Sequence, residues 1–404
     1  MSEESSPAAL ARQLTRGGHL APAWREAFTQ VDRKRFIPDR VWIQGEDGYH
    51  PLDRVTDPDR WHRLAYEDRA LVTRVEDDGV DTAALVPSSS ASMPRVVATM
   101  LDALTVADGM RVLEVGTGTG YNAALLSERL GDQQVVSVEV DPRTADTARA
   151  TLKNAGHSPT VITGDGGLGC PAHAPYERTI VTYALHSVPY ALVEQTAPGG
   201  VIVLPWGTGL YNGVLLRLTT GEDGTATGPV IGDSAFMWNR YETPRRDVMA
   251  TVQNRGRSQD QGQNQGQGQD QGQNQADRAP TTAPATATRT GLDPRLVFGD
   301  EDATFTAGVL VPDCRYSVGH GPGGEFTLWL ADHTTGSWAS VDYRPNASSA
   351  DHPLRQYGPR ALWSEVEAAY DWWRNAGSPE RTRFGLTVTP VGQHLWLDTP
   401  DRPL

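Results

Sequence analysis

Residues 112–121 read VLEVGTGTGY: a short apolar run, then glycine at the alternate positions Gly116, Gly118 and Gly120, then an aromatic. An apolar run that breaks into glycine predicts a buried strand entering a sharp turn. Without a Cβ at those positions the backbone turns tightly and approaches a ligand closely. Spacing separates the ligands such a turn serves. The dinucleotide fingerprint is GxGxxG, and the place of its third glycine is held here by Tyr121, with the third glycine one position earlier.

Outward from that turn, residues 111–115 (RVLEV), 135–140 (VVSVEV), 160–163 (TVIT), 178–182 (RTIVT) and 201–205 (VIVLP) read as buried strands. Residues 93–104 place Val96, Val97, Met100, Leu101 and Leu104 on one helical face. Residues 143–155 begin just after Pro142, near a helix start. Alternation of strands and helices predicts a parallel sheet with covering helices, within a unit spanning 1–250. The runs 211–218 (YNGVLLRL) and 228–236 are expected to close it as antiparallel strands.

From residue 253 to about 290 the chain falls into Gln, Gly, Asn and Asp (RSQDQGQNQGQGQDQGQNQ), then Ala, Thr and Pro. So few apolar side chains do not recover the entropy of ordering, so 251–290 is expected to be a disordered linker. A length of 404 residues leaves room for a second core. Residues 291–404 are expected to form it, as a smaller α+β domain with β-like runs at 295–298, 308–311, 326–330, 383–389 and 393–397. One helix aligns Leu362, Val366, Ala369, Tyr370 and Trp373, and Gly377 ends it. Trp338, Trp363, Trp372, Trp373 and Trp396 read as core.

A formal net charge of -14 argues against a nucleic-acid partner. Local basic clusters at Arg33-Lys34-Arg35 and at 240–246 (RYETPRR) suit an anionic peptide or, more commonly, a solvated surface. No apolar run spans a bilayer and the first residues (MSEESSPAALARQL) lack the halves of a signal peptide, so no membrane partner and a cytoplasmic location are expected. Cys170 and Cys314 show no metal-ligand spacing and read as structural thiols, with no metal site expected.

With the dinucleotide fingerprint set aside, Glu114 completes E-x-G-x-G-x-G, which resembles the first motif of class I methyltransferases. The resemblance implies an α/β fold with a Rossmann-like doubly wound sheet, and S-adenosyl-L-methionine as cofactor, released as S-adenosyl-L-homocysteine. Glu139 ends the second strand about 20 residues on, where an acidic side chain accepts both ribose hydroxyls. Asp165 in TGDGG follows the third strand, where this fold meets the adenine amine. The expected cofactor set is Glu114, Gly116, Thr117, Gly118, Gly120, Tyr121, Glu139, Val140, Asp165 and Gly166, with Tyr121 closing over the methionine part. Taken singly, Asp165 and Gly166 also read as turn chemistry, and Glu139 as a solvent-facing strand end.

Further blocks narrow the resemblance to the protein-L-isoaspartate O-methyltransferase family over about residues 24–206. FTQVDRKRFIP at 28–38 is similar to its N-terminal helix and R-x-x-F-[IV]-P, and Tyr66-Glu67-Asp68 to its Y-x-D. SASMP at 90–94 is similar to its S-x-P, GDGGLGCPAHAPYERTIVT at 164–182 to its G-D-G-x-x-G turn and P-[YF]-[DE] strand entry, and PGGVIVLPWG at 198–207 completes the set. The resemblance implies O-methylation of an Asp or isoaspartyl carboxylate on a peptide or protein. Such a nucleophile is ionised at neutral pH and needs positioning more than a base. Ser92 and His186 are the catalytic candidates. By resemblance the Ser92 hydroxyl faces the acceptor carboxylate; it also reads as a helix cap. His186 in TYALHSVPY stands where the family places a substrate-facing loop; it also reads as a packed histidine.

Two departures bear on the acceptor. Tyr183-Ala184-Leu185-His186 stands where repair enzymes carry small residues, and the region past the linker has no counterpart in ordinary members. Extended members resemble methyltransferases that accompany ATP-grasp macrocyclases (graspetides) and lanthipeptide synthetases, in which a methylated Asp of a ribosomal peptide closes to an aspartimide. The expected substrate is accordingly a modified, macrocyclised precursor peptide, with 291–404 holding it. General repair of isoaspartyl residues is the alternative, and a cofactor-binding adaptor without the reaction is a third.

Overall fold

A computed structural model of the protein describes residues 5–45, 48–77, 85–242, 285–345 and 352–404. It divides into two compact units. The first comprises Met1–Trp206, Asn212–Thr243 and Thr382–Leu404, the second Gly207–Tyr211 and Pro244–Arg381.

In the first unit, helices α1 (Pro7–Arg16), α2 (Arg25–Gln30) and α3 (Pro58–Tyr66) accompany a four-stranded antiparallel sheet. Its strands β1 (Arg40–Gly45), β2 (Gly48–Asp53), β3 (Leu71–Asp77) and β4 (Leu85–Ala91) run in the order β2-β1-β3-β4. Val41, Leu52, Trp61, Leu64 and Leu71 form the core beneath it. β4 leads through Ser92 into α4 (Pro94–Leu104), whose buried Val97, Met100, Leu101 and Leu104 face the main core.

The main sheet has nine strands. Its parallel part is β5 (Val112–Val115), β6 (Val135–Glu139), β7 (Thr160–Thr163), β8 (Tyr176–Val181) and β9 (Thr196–Gly207). Every residue of β5 and β6 is buried, as expected of strands covered on both faces. Helices α5 (Tyr121–Leu130), α6 (Pro142–Ala155) and α7 (Tyr190–Glu194) make the crossovers. α6 starts where the sequence predicts, with Pro142 in its first turn and the Asp141 carboxylate accepting from the Thr144 amide at 2.8 Å. The order β9-β8-β5-β6-β7 makes the chain leave β5 to one side and return on the other. Between β5 and β8 this opens a crevice at the carboxyl ends of the strands, where ligands bind in doubly wound sheets. The expected closing pair is β10 (Asn212–Thr220) and β11 (Ala226–Asp233), antiparallel to each other.

The sheet then takes up two strands expected elsewhere. Phe384–Thr389 pairs antiparallel with β11, Ala226 opposite Val388, and Gly392–Leu397 pairs with it in turn. These strands complete the first unit and correct the expectation of one domain over 291–404. Burial of Phe384, Leu386, Val388 and Trp396 accounts for their alternating pattern; the open backbone edge of β11 selects their partner.

The second unit holds a five-stranded antiparallel sheet in the order β12-β16-β15-β14-β13: β12 (Thr286–Thr290), β13 (Cys314–His320), β14 (Phe326–Asp332), β15 (Ser337–Tyr343) and β16 (His352–Tyr357). The predicted helix spans Leu362–Asn375 and ends before Gly377, at φ +83°. Its Leu362, Trp363, Val366 and Ala369 pack with Leu328, Leu330, Ala339 and Val341 into one core. The β-like runs at 295–298 and 308–311 are helical instead, the first within Pro294–Phe298 and the second at the end of Glu301–Leu310 with Val311 as its C-cap. Asp293 and Asp300 cap those helices by accepting from the amides of Arg295, Asp302 and Ala303, signals that outweigh the apolar runs. Most of the expected linker, 251–284, lies outside the described residues, while its end is strand β12. Among the described residues no helix is long and apolar enough to cross a membrane. Cys170 and Cys314 are buried and unpaired.

Candidate active site

A single cleft gathers the carboxyl ends of the parallel strands. It is lined by residues 116–119 after β5, Glu139 and Val140 at β6, Asp165 and Gly166 after β7, and Thr182 and Tyr183 after β8. Gly116 has φ +100°, and a Cβ there would stand 2.4 Å from Thr182 Oγ1. Gly118, at φ +54°, faces open space with nothing within 4 Å of its Cβ position. One glycine closes the turn against β8 and the other leaves room for a ligand. A Cβ on Gly166 would meet Val115 Cγ1 at 2.4 Å, so this position also admits only glycine.

The two rim acids are anchored by backbone. Glu139 accepts from the Gly118 amide at 2.9 Å and the Asp141 amide at 3.1 Å, and Asp165 accepts from the Gly167 amide at 2.9 Å. Beside them the Thr144 amide, followed by the Arg74 guanidinium 3.1 Å away, holds the Asp141 carboxyl down to about 2.

Of the expected cofactor set, Gly120 does not line the cleft, and neither does Glu114. It is wholly buried and accepts from Asn122 Nδ2 at 2.8 Å and from the Ser137 hydroxyl, which lies 2.6 Å from Thr117 Oγ1. Burial pushes its carboxyl up to about 7, against the pull of those hydrogen bonds. Glu114 thus holds Asn122 and Thr117, which do line the cleft. Tyr121 opens α5 and lines the cleft with Asn122; its ring meets Phe36 at 5.7 Å. The Tyr121 hydroxyl and Asn122 Oδ1 are buried without a hydrogen-bond partner among the described residues.

On the other side stand Ser88 to Ser92, from β4. The residue that holds the end of this stretch, Ala91 and Ser92, is Arg33, expected at the surface and found 1% exposed. Its guanidinium donates to the carbonyls of Ala65, Glu67, Arg69, Ala91 and Ser92. Burial pushes it down to about 10, so it stays protonated at neutral pH. Ser92 caps no helix: α4 has Met93 at its N-cap without a side-chain bond, and Asp68 Oδ1 accepts from the Arg95 amide at 2.8 Å. The remaining wall is residues 236–241, which follow β11. Asn239 donates its amide to the Ala184 carbonyl at 2.9 Å, and Glu242 accepts from the His186 amide at 2.9 Å, binding this segment to the loop after β8. His186 itself does not line the cleft; it stacks on Trp238, which does, with centroids 3.9 Å apart.

Comparison with known proteins now places the chain. The model of the protein-L-isoaspartate(D-aspartate) O-methyltransferase family matches residues 53–237. A protein-L-isoaspartate O-methyltransferase of Hyperthermus butylicus is 33% identical over 252 residues, 58% of this chain and 90% of that one. The chain belongs to this family. The enzyme of the same name from Methanococcoides burtonii is 40% identical over 148 residues, 36% of this chain and 72% of its own length. A solved protein-L-isoaspartate O-methyltransferase aligns over 97% of this chain and 100% of itself, with TM-score 0.51 and 19% identity, a likeness of fold. The protein is a carboxyl O-methyltransferase that uses S-adenosylmethionine, on the class I methyltransferase fold.

The cleft fits that cofactor on its own chemistry. Tyr121 and Asn122 line it, each with a buried polar atom that lacks a hydrogen-bond partner among the described residues, and two carboxylates stand beyond the glycine turn, a set that suits a group with both donors and acceptors. Sequence reasoning missed Arg33, the serine-rich β4 and residues 236–241. The R-x-x-F-[IV]-P block carried Arg33, but its charge pointed to the surface.

Proposed function

We propose that the enzyme methylates the side-chain carboxylate of an aspartyl residue in a modified ribosomal peptide, and that the ester then closes to a succinimide. The cleft's own ionisable groups carry the choice of a carboxylate. Glu139 and Asp165 are engaged with backbone amides, and burial pushes the Tyr121 and Tyr183 hydroxyls upward, so neither phenol takes part as a base at neutral pH. A nucleophile that arrives ionised suits such a site.

S-adenosylmethionine supplies an electrophilic methyl group when bound. Glu139 would take its ribose hydroxyls, Asp165 its adenine amine, and Tyr121 and Asn122 its methionine end, while the Ser92 hydroxyl would orient the acceptor. Closure follows without the enzyme's help: the next backbone amide nitrogen bonds to the ester carbon, the carbon to methoxide bond breaks, and methanol leaves with the amide proton. The departure at 183–186, joined to the wall at 236–241, favours an acceptor other than a generic aged protein. The second reading, repair of L-isoaspartyl residues, is supported by the names of the relatives and by an alignment that carries this chain's C-terminal region onto an enzyme of that name.

One comparison separates the readings: the full chain with labelled cofactor, given an isoaspartyl hexapeptide, the linear precursor peptide, or that peptide after macrocyclisation. Faster labelling of the cyclised peptide, followed by methanol release, is expected. Equal or better turnover of the hexapeptide overturns the specialised reading in favour of repair, and no labelling of any peptide leaves an adaptor.

The second unit is proposed to hold the acceptor peptide, because binding energy from remote parts of a substrate positions its reacting group. Truncation at residue 250 would also remove two strands of the first unit's sheet, so hydrogen exchange on the whole chain is the test. Peptide-dependent protection within 285–381 is expected; protection confined to 5–242 overturns the role.

A further inference from the structure

Arg33 is a buried cation that among the described residues hydrogen-bonds to no carboxylate, although Asp68 attracts it through space. Its hydrogen-bond partners among the described residues are five backbone carbonyls: Ala65 at 2.9 Å, Ser92 at 3.0 Å, Arg69 at 3.1 Å, and Glu67 and Ala91 at 3.4 Å. The nearby acids are engaged elsewhere. Asp68 accepts from the Arg95 amide and lies 3.6 Å from the Arg95 guanidinium, and Asp32 accepts from the Tyr66 hydroxyl at 2.6 Å. Desolvating an arginine this way is costly unless its charge is used.

We propose that Arg33 is a positioning residue that builds an anion seat for the acceptor carboxylate at Ser92 and Met93. In a trans peptide the carbonyl and the N–H point to opposite sides. The units Ala91–Ser92 and Ser92–Met93 are trans and hold their oxygens on Arg33, so the amides of Ser92 and Met93 are turned away from it. Neither amide has a hydrogen-bond partner among the described residues. Ser92 stands in the cleft wall. A cation at the carbonyl end of a peptide unit polarises its N–H into a stronger donor. Two such amides and the Ser92 hydroxyl match the acceptor-only character of a carboxylate and leave a carboxamide's donors unmatched. The inference rests on the carboxylate-acceptor reading above and adds the group that makes the seat selective.

The test is calorimetry on the full chain loaded with S-adenosylhomocysteine, titrated with an isoaspartyl hexapeptide and with its carboxamide counterpart. The wild type should prefer the carboxylate at least about tenfold. Arg33→Lys keeps the charge but not the fork that reaches several carbonyls, and should shrink that ratio several-fold while S-adenosylhomocysteine affinity stays within about twofold. An unchanged ratio, or an equal loss of both ligands, overturns the proposal. A wild type with no preference for the carboxylate sinks the carboxylate reading itself, whatever Arg33→Lys does. Should Arg33→Lys not fold, selective nitrogen-15 labelling of serine and methionine in the wild type decides. Peptide-dependent downfield shifts of the Ser92 and Met93 amide protons support the seat, and unmoved signals refute it.

Discussion

Glu114→Gln should reverse part of the protein's pH response. Glu114 is wholly buried and its carboxyl is pushed by that burial from an ordinary 4.5 up to about 7. The folded state therefore keeps a proton that the unfolded chain releases between those values. Stability from this group is full below about pH 4.5 and is lost as pH rises through about 7. At about 1.4 kcal/mol for each tenfold in proton concentration, the loss across the window is about 3 kcal/mol. Glutamine stays neutral throughout. Its oxygen can still accept from Asn122, and its amide can donate to Ser137, whose hydroxyl turns to Thr117 at 2.6 Å. Other titrating groups are common to both proteins and cancel in the difference. Urea unfolding of both between pH 5 and 8 should show the variant gaining about 2 to 3 kcal/mol relative to wild type as pH rises. Parallel curves, or a swing well under about 1 kcal/mol, would refute the reasoning and return Glu114 to an ionised role.

Three further outcomes are expected. Gly116→Ala combines φ +100° with a Cβ 2.4 Å from Thr182 Oγ1, and should cost about 2 to 5 kcal/mol in unfolding free energy; a variant as stable as wild type would contradict the close approach of β5 to β8. Trp238→Ala removes the surface stacked on His186 and part of the cleft wall, and should raise the acceptor KM by about tenfold with S-adenosylhomocysteine affinity little changed; loss confined to the cofactor would move Trp238 to the other end of the site. Cys170 and Cys314 are buried, and burial pushes the Cys314 thiol up to about 12, so iodoacetamide at pH 8 should label neither until urea unfolds the chain. Labelling of the native protein would show that these thiols open to solvent.

The site was legible where chemistry and backbone shape coincide. Gly116, Gly118, Glu139 and Asp165 stand around one cleft because each ends or follows a parallel strand, and strand order brings those ends together. Glu114 belongs to the motif yet is buried beside the cleft rather than in its wall, because a motif records a residue type and not the face of the strand it occupies. His186 was a weak candidate for the same reason: its neighbour Tyr183 lines the cleft while its own ring packs on Trp238. Arg33 was misread because charge predicts exposure unless five carbonyls converge on it, and those come from residues 32 to 59 positions away.

By itself the sequence determined the parallel strands, the glycine turn and hence the methyl donor, because local hydrophobic period and turn chemistry act over a few residues. Tertiary structure alone decided which edges pair and which groups meet. It gave Phe384–Leu397 to the first unit through the open edge of β11, and it turned Arg33 inward beneath Ser92. Backbone edges and buried carbonyls carry no residue-specific signature, so only the assembled chain shows where they are satisfied.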